Sequence, residues 1–203
     1  MLKRLAKTMR RGERGITGLE TAIILIAFVV VASVFAYTVL SAGIFSSQKG
    51  QEAVYTGLQT AQSTLELKGD VVAEGNGTAI TSLVLCVANA LNGQSIDLTP
   101  PINNGSGLAT GNSSNVVVVS YSDSSQRVDN LYWTSEELGN STAGTHILGP
   151  GQTFQMTIDL EAIAGHGVGT YHTFEIDIKP PIGSVLTIER TTPAQLESYM
   201  VLN

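Results

Sequence analysis

Residues 16–45 read ITGLETAIILIAFVVVASVFAYTVLSAGIF, and in this stretch Glu20 is the only charged residue. From Thr21 to Gln48 the chain runs for 28 residues without a charge, more than the roughly 20 that carry a helix across a hydrocarbon core. Ile23, Ile24, Leu25, Ile26, Phe28, Val29, Val30 and Val31 leave no polar stripe at helical spacing, so such a helix is apolar on every side and suits lipid or a surround of other helices. Ile24, Phe28, Val31 and Phe35 follow one another at spacings of four, three and four and share one face. If the helix forms the core of an assembly, they must contact other subunits, since a single helix cannot bury all sides of itself.

Charge is divided sharply around this run. Lys3, Arg4, Lys7, Arg10, Arg11 and Arg14 are six of the eleven basic residues and all precede it. From Ile16 onward there are 5 basic against 16 acidic residues, a balance that argues against a nucleic-acid surface. The positive-inside bias keeps the first fourteen residues cytoplasmic and sends the acidic remainder across the membrane. Cys86 is the single cysteine of 203 residues; it has no intrachain disulfide partner and reads as a small buried hydrophobe within SLVLCVANAL.

Three ways of processing this N-terminus differ in where a peptidase cuts. A secretory signal is cut after the apolar region, with Val34-Phe35-Ala36 as the candidate site, and discards the helix. A signal anchor is not cut, and leaves a surface glycoprotein tethered by one span. A cut between Gly15 and Ile16 retains the helix as the new N-terminus. In that case the α-amino group of Ile16 lies one helical turn from Glu20, and the two charges neutralise each other at the edge of lipid. The first two readings leave Glu20 without a role.

A basic leader ending in Arg14-Gly15, followed by Ile-Thr-Gly-Leu-Glu and an unbroken apolar helix, resembles the type III signal peptides of the type IV pilin superfamily. More narrowly, residues 16–53 resemble the N-terminal segment of archaellins, the archaeal flagellins. WTSEEL at 133–138, GPGQTFQMTIDL at 149–160 and PPIGSVLTIERTTP at 180–193 resemble outer-domain motifs of the same family. The resemblance implies cleavage between Gly15 and Ile16 by a prepilin-type leader peptidase and a membrane-held intermediate. It further implies a dedicated assembly machinery and a helical homo-oligomeric filament on the cell surface, with the helix in its core and a β-rich outer domain around it. Some archaellins carry acidic residues in the loop before the Pro-Gly turn, whereas this chain has GNSTAGTHILGPG there, so no metal site is expected in it.

The residues support the same organisation on their own terms. No proline occurs between Ile16 and about Lys68, and Ala, Leu, Ile, Gln and Glu dominate, which predicts a helix over 16–68. Val54, Leu58, Ala61 and Leu65 give its second half a narrower apolar face for one partner. Gly43, Gly50 and Gly57 are points where it bends or lets a neighbouring backbone approach. Beyond it, over 69–203, β-branched runs alternate with Gly, Asn, Ser and Pro. TSLVLCVANAL, NVVVVSYS, TFQMTIDL, YHTFEIDI and SVLTIER are strand candidates, and Phe154, Met156, Ile158 and Leu160 alternate with polar residues as a half-buried strand does. The expected fold is α+β: a leader over 1–15, a long hydrophobic helix, and an antiparallel β-sandwich or barrel.

Catalytic signals are absent from the pattern. His146, His166 and His172 read as loop or solvated histidines, and GHGVG and LGPGQ as loop glycines, because neither opens a helix after a strand. No cofactor is expected. Four N-x-[ST] sequons, at Asn76, Asn104, Asn112 and Asn140, all lie beyond the helix in turn-like sequence, so N-glycosylation of an exported domain is expected. The sequence predicts a structural subunit of the archaellum. An adhesion pilin and a non-polymerising, signal-anchored surface glycoprotein are the alternatives.

Overall fold

In the computed structural model, residues 2–91, 93–139, 145–163 and 167–202 are described, with side chains from Gly18 onward. The chain divides into two units, Met1–Val54 and Tyr55–Asn203.

One helix, α1 (Leu2–Gln62), carries all of the first unit and enters the second. Its interior holds no proline, and Gly43, Gly50 and Gly57 are accommodated with open space around each. Ser33 Oγ donates to Val29 O at 2.7 Å and Thr38 Oγ1 to Phe35 O at 2.8 Å, so hydroxyls inside the apolar run are satisfied by the helix's own carbonyls.

The helix stops at Gln62, six residues before the expected end. Ser63 N still donates to Gln59 O at 3.1 Å and Thr64 Oγ1 to Thr60 O at 2.9 Å. The next three residues then form β1 (Leu65–Leu67), paired antiparallel with residues 87–89. Leu65 is therefore a core residue of the second unit rather than part of a helical stripe, and Val54 and Leu58 stay exposed. Gly183, at φ 113°, lets the 180–185 turn reach this junction. A Cβ there would lie 2.3 Å from Ser63 O, which both the contact and the left-handed conformation forbid to other residues.

The remaining strands are β2 (Val71–Gly75), β3 (Ile80–Asn89), β4 (Ile96–Asp97), β5 (Val118–Asp123), β6 (Arg127–Val128), β7 (Trp133–Glu137), β8 (Ile147–Leu148), β9 (Thr153–Asp159), β10 (Thr173–Lys179), β11 (Leu186–Thr191) and β12 (Tyr199–Leu202). One sheet runs β12-β2-β3-β9-β7, with β1 beside β2 along the same edge of β3; a second runs β11-β10-β5-β6; β4 and β8 form a short ribbon. All pairings are antiparallel.

Alternation explains why the two larger sheets share one core. Leu83, Leu85 and Val87 of β3, Phe154, Met156 and Ile158 of β9, and Trp133 of β7 face inward. They meet Val119 and Tyr121 of β5, Phe174, Ile176 and Ile178 of β10, and Ile188 of β11. The expected α+β architecture is present, and its β part is a sandwich. All five strand candidates form strands. Cys86 is a correction: between inward Leu85 and Val87 it takes the outward face of β3 and is half-exposed rather than buried.

Candidate assembly surface

From Gly18 onward, no described residue of the first unit is buried. Leu19, Ile23, Ile24, Leu25, Ile26, Phe28 and every large apolar side chain after them to Phe45 are at least half exposed, with Phe28 at 74%. From Leu19 to Phe45 this surface runs about 40 Å along the helix, longer than the hydrocarbon core of a bilayer. Burying each Val, Leu, Ile or Phe contributes roughly 1.5–3 kcal/mol, so the helix carries a large unmet preference for an apolar surround. Gly18–Gln62 is long and apolar enough to cross a membrane.

The residues singled out in the sequence fall as follows. Ile24, Phe28, Val31 and Phe35 form an exposed stripe, at 68%, 74%, 68% and 69%. Glu20 is exposed at the start of the run. Gly15 and Ile16 lie within the helical backbone of α1. The first ion pair beyond the apolar run, Lys49 Nζ with Glu52, is solvent-exposed and contributes little. These positions lie along one helix and do not converge on a pocket.

On the second unit, Asn76, Asn104 and Asn112 are exposed loop residues, and Asn140 falls outside the described residues. Asn76 Oδ1 accepts from the backbone N–H groups of Thr78 and Ala79, each at 2.9 Å. Asn104 Oδ1 accepts from Ser106 N at 2.8 Å. In both, the amide oxygen folds back onto the third residue of its sequon as an Asx-turn, and no bond to the amide nitrogen competes with modification of that atom among the described residues.

His146 and His172 have different partners. His146 Nδ1 lies 2.8 Å from Ser135 Oγ, and His166 is outside the described residues. His172 lies in the loop just before β10, as its sequence context suggests, and sets its Nε2 3.0 Å from Asp123 Oδ2. Asp123, at the end of β5, also accepts from Tyr121 Oη at 2.7 Å, Ser125 N at 2.6 Å, Ser125 Oγ at 2.7 Å and Gln126 N at 2.8 Å. Burial raises its pKa, but the bonds from Tyr121, Ser125 and His172 outweigh that and hold the carboxyl well below the usual range. Burial, and then the bond and charge of Asp123, push the Tyr121 phenol well above its usual range. The sequence signal for this cluster is YSDSSQ at 121–126: an aspartate two residues after a strand tyrosine, opening a serine-rich turn. Among the described residues, no group of three or more His, Cys, Asp or Glu is placed to hold a metal ion.

Comparison with known proteins bears on the exposed helix and the sandwich together. Residues 15–190 match the family model of archaeal-type flagellin. Probable flagellin 1 of Archaeoglobus fulgidus is 37% identical over 200 residues, covering 95% of this chain and 96% of that protein. Probable flagellin 2 of the same organism is 31% identical over 202 residues, covering 93% and 94%. Among solved structures, the archaeal flagellum of Methanospirillum hungatei is similar with a TM-score of 0.63 and 29% identity, covering 92% of this chain and 99% of that one. The crystal structure of flagellin FlaB1 from Methanocaldococcus jannaschii, at 11% identity and TM-score 0.55 over 69% of this chain and 96% of that one, shares the fold. The chain belongs to the archaeal-type flagellin family, the structural subunits of the archaeal swimming filament.

Proposed function

We propose that this flagellin is made with a cytoplasmic basic leader and held in the membrane by α1. A prepilin-type peptidase cuts it between Gly15 and Ile16, and the archaellum assembly machinery then passes it into an extracellular filament whose core is a bundle of identical helices. The observation that carries this reading is an apolar helix exposed on all sides in a chain whose β unit closes its own core. Transfer from lipid to a helix bundle is close to neutral in hydrophobic terms, so helix packing and contacts between outer domains set the stability of the assembled state. Contacts that repeat head to tail without closing build a helical filament.

After the cut, the α-amino group of Ile16 neutralises Glu20, and Ile24, Phe28, Val31 and Phe35 pack on neighbouring subunits. The β unit coats the outside, with N-glycans at one or more of Asn76, Asn104, Asn112 and Asn140. It carries no catalysis of its own. Mass spectrometry of the protein from isolated surface filaments tests the processing and the assembly together. The expected N-terminus is Ile16. A chain beginning at Met1 and found only in membranes would leave a signal-anchored glycoprotein instead, and one beginning at Tyr37 a secreted protein without the helix.

A further inference from the structure

Across the outward face of the larger sheet the pleat produces a row of polar side chains. Ser82 of β3 stands opposite Asp159 of β9, and Thr157 of β9 opposite Thr134 of β7. Their inward neighbours Leu83, Ile158 and Trp133 are buried in the core. Tyr132, just before inward Trp133, joins this outer face, and its carbonyl accepts from Asp159 N at 2.9 Å. Together these residues line a groove of ≈ 520 Å³, within the roughly 300–1,000 Å³ of small-molecule sites. Glu161 and Asn76, the latter in the loop between β2 and β3, also line it.

Hydroxyls and carboxylates beside a phenol ring are the groups that hold a carbohydrate. The oxygens bond to sugar hydroxyls, and the ring packs against the apolar C–H face of a pyranose. From β3 to β7 the groove spans two strand spacings, about 10 Å, a distance a short oligosaccharide covers. The asparagine in its lining is itself a sequon residue with its amide oxygen tied down.

We propose that this groove is the resting place of the oligosaccharide carried by Asn76, whose first sugars lie across β3, β9 and β7 against Tyr132. The proposal rests on N-glycosylation of this flagellin and adds to it a fixed position. The glycan then covers one face of the outer domain, so that face is a coated surface and not a contact between subunits.

Hydroxyl-radical footprinting, read by mass spectrometry, tests it on native filaments and on full-length subunits released from them in detergent. Wild type is compared with Thr78→Ala, which destroys the sequon yet leaves Asn76 and the backbone N–H groups its Oδ1 accepts. The expected result is glycan on the Asn76 peptide of wild type and several-fold slower oxidation of Tyr132 than in Thr78→Ala, in filaments and subunits alike. Tyr171 and Tyr199, 77% and 68% exposed, serve as references whose rates are the same in the two proteins. A glycosylated Asn76 with Tyr132 oxidised equally in both proteins overturns the docking while leaving glycosylation in place. A bare Asn76 removes the occupant and overturns the proposal at its premise. Protection of Tyr132 in filaments of both proteins assigns the groove to a neighbouring subunit and likewise overturns it.

Discussion

Phe28 and Phe154 are the same residue in opposite circumstances. Phe154, on β9, is 1% exposed within a core drawn from two sheets of its own chain, whereas Phe28, on α1, is 74% exposed with nothing of its own chain upon it. The β unit completes its hydrophobic burial within one polypeptide, and the helix has to find its burial outside. On the function proposed above, such a protein folds one half alone and keeps the other as a reserve of apolar surface for lipid to hold and a bundle of sister helices to take over. The sharpest way to break the comparison is Phe28→Asp. An unpaired carboxylate in a packed helical core costs several kcal/mol, and it recurs in every subunit. Loss of filaments in electron micrographs and loss of swimming are expected, with the near-ultraviolet circular dichroism of the β unit unchanged. Normal swimming in this variant would place the filament core elsewhere.

Truncation to alanine sharpens the same contrast. Phe154→Ala leaves a cavity in a closed core and is expected to lower the unfolding free energy of the β unit by about 3–5 kcal/mol. Phe28→Ala trims a side chain that is 74% exposed and is expected to change it by less than about 0.5 kcal/mol, while reducing filament yield. Urea unfolding of both full-length variants in the same detergent reads the difference. Equal destabilisation by the two would mean that the helix packs on its own β unit, contrary to the exposure of Phe28.

The junction between the halves supplies a third test, because β1 belongs by sequence to the helix and by structure to the sheet. Leu65 is 3% exposed, and its strand covers residues 87–89 on the edge of β3. A fragment over 55–203, which matches the second compact unit, should fold as a soluble β-rich monomer. A fragment over 70–203 lacks Leu65 and should lose at least roughly 1.5–3 kcal/mol, besides leaving an unpaired strand edge that invites association. Equal urea midpoints and equal monomer fractions for the two fragments would show that β1 is dispensable.

That junction also shows where sequence reading ends. The apolar helix was legible because 28 charge-free residues allow few alternatives, and β9 because four apolar residues alternate without a break. STLELK, by contrast, is locally helix-favouring, and only its pairing with a distant strand makes it β. β7 was hidden because one of its inward positions is Ser135, buried at 5% with its hydroxyl donated to Leu98 O at 2.7 Å, so hydrophobic alternation fails there. The exposed stripe at Ile24, Phe28, Val31 and Phe35 could be named from spacing alone. The groove beside Asn76 could not, since it depends on the registers that set Ser82 against Asp159 and Thr134 against Thr157.

The same dependence on register gathers Tyr121, Asp123 and His172 at one end of the smaller sheet, and it gives the β unit a pH dependence of its own. The Asp123 carboxyl is held below its usual range, so its contribution to stability is present above about pH 4 and is lost as the pH falls further. The Tyr121 phenol is pushed above its usual range, so its contribution is present below about pH 10 and is lost as the pH rises beyond that. Tyr121→Phe keeps the ring stacked on Phe174 at 5.8 Å and deletes one bond to a charged acceptor. The expected loss is about 1.5 kcal/mol at neutral pH, the low end for such a bond, because Ser125, Gln126 and His172 still satisfy Asp123. Measured by urea unfolding of the 55–203 fragment across pH 3–11 (a range set by the usual carboxylate and phenol values), the decline near the alkaline end should weaken in the variant. The acid decline should become shallower without vanishing, since the bonds from the Ser125 hydroxyl, the Ser125 backbone and His172 still lower the Asp123 value. Superimposable pH profiles for the variant and the wild type would show that the Tyr121–Asp123 bond does not couple protonation to folding.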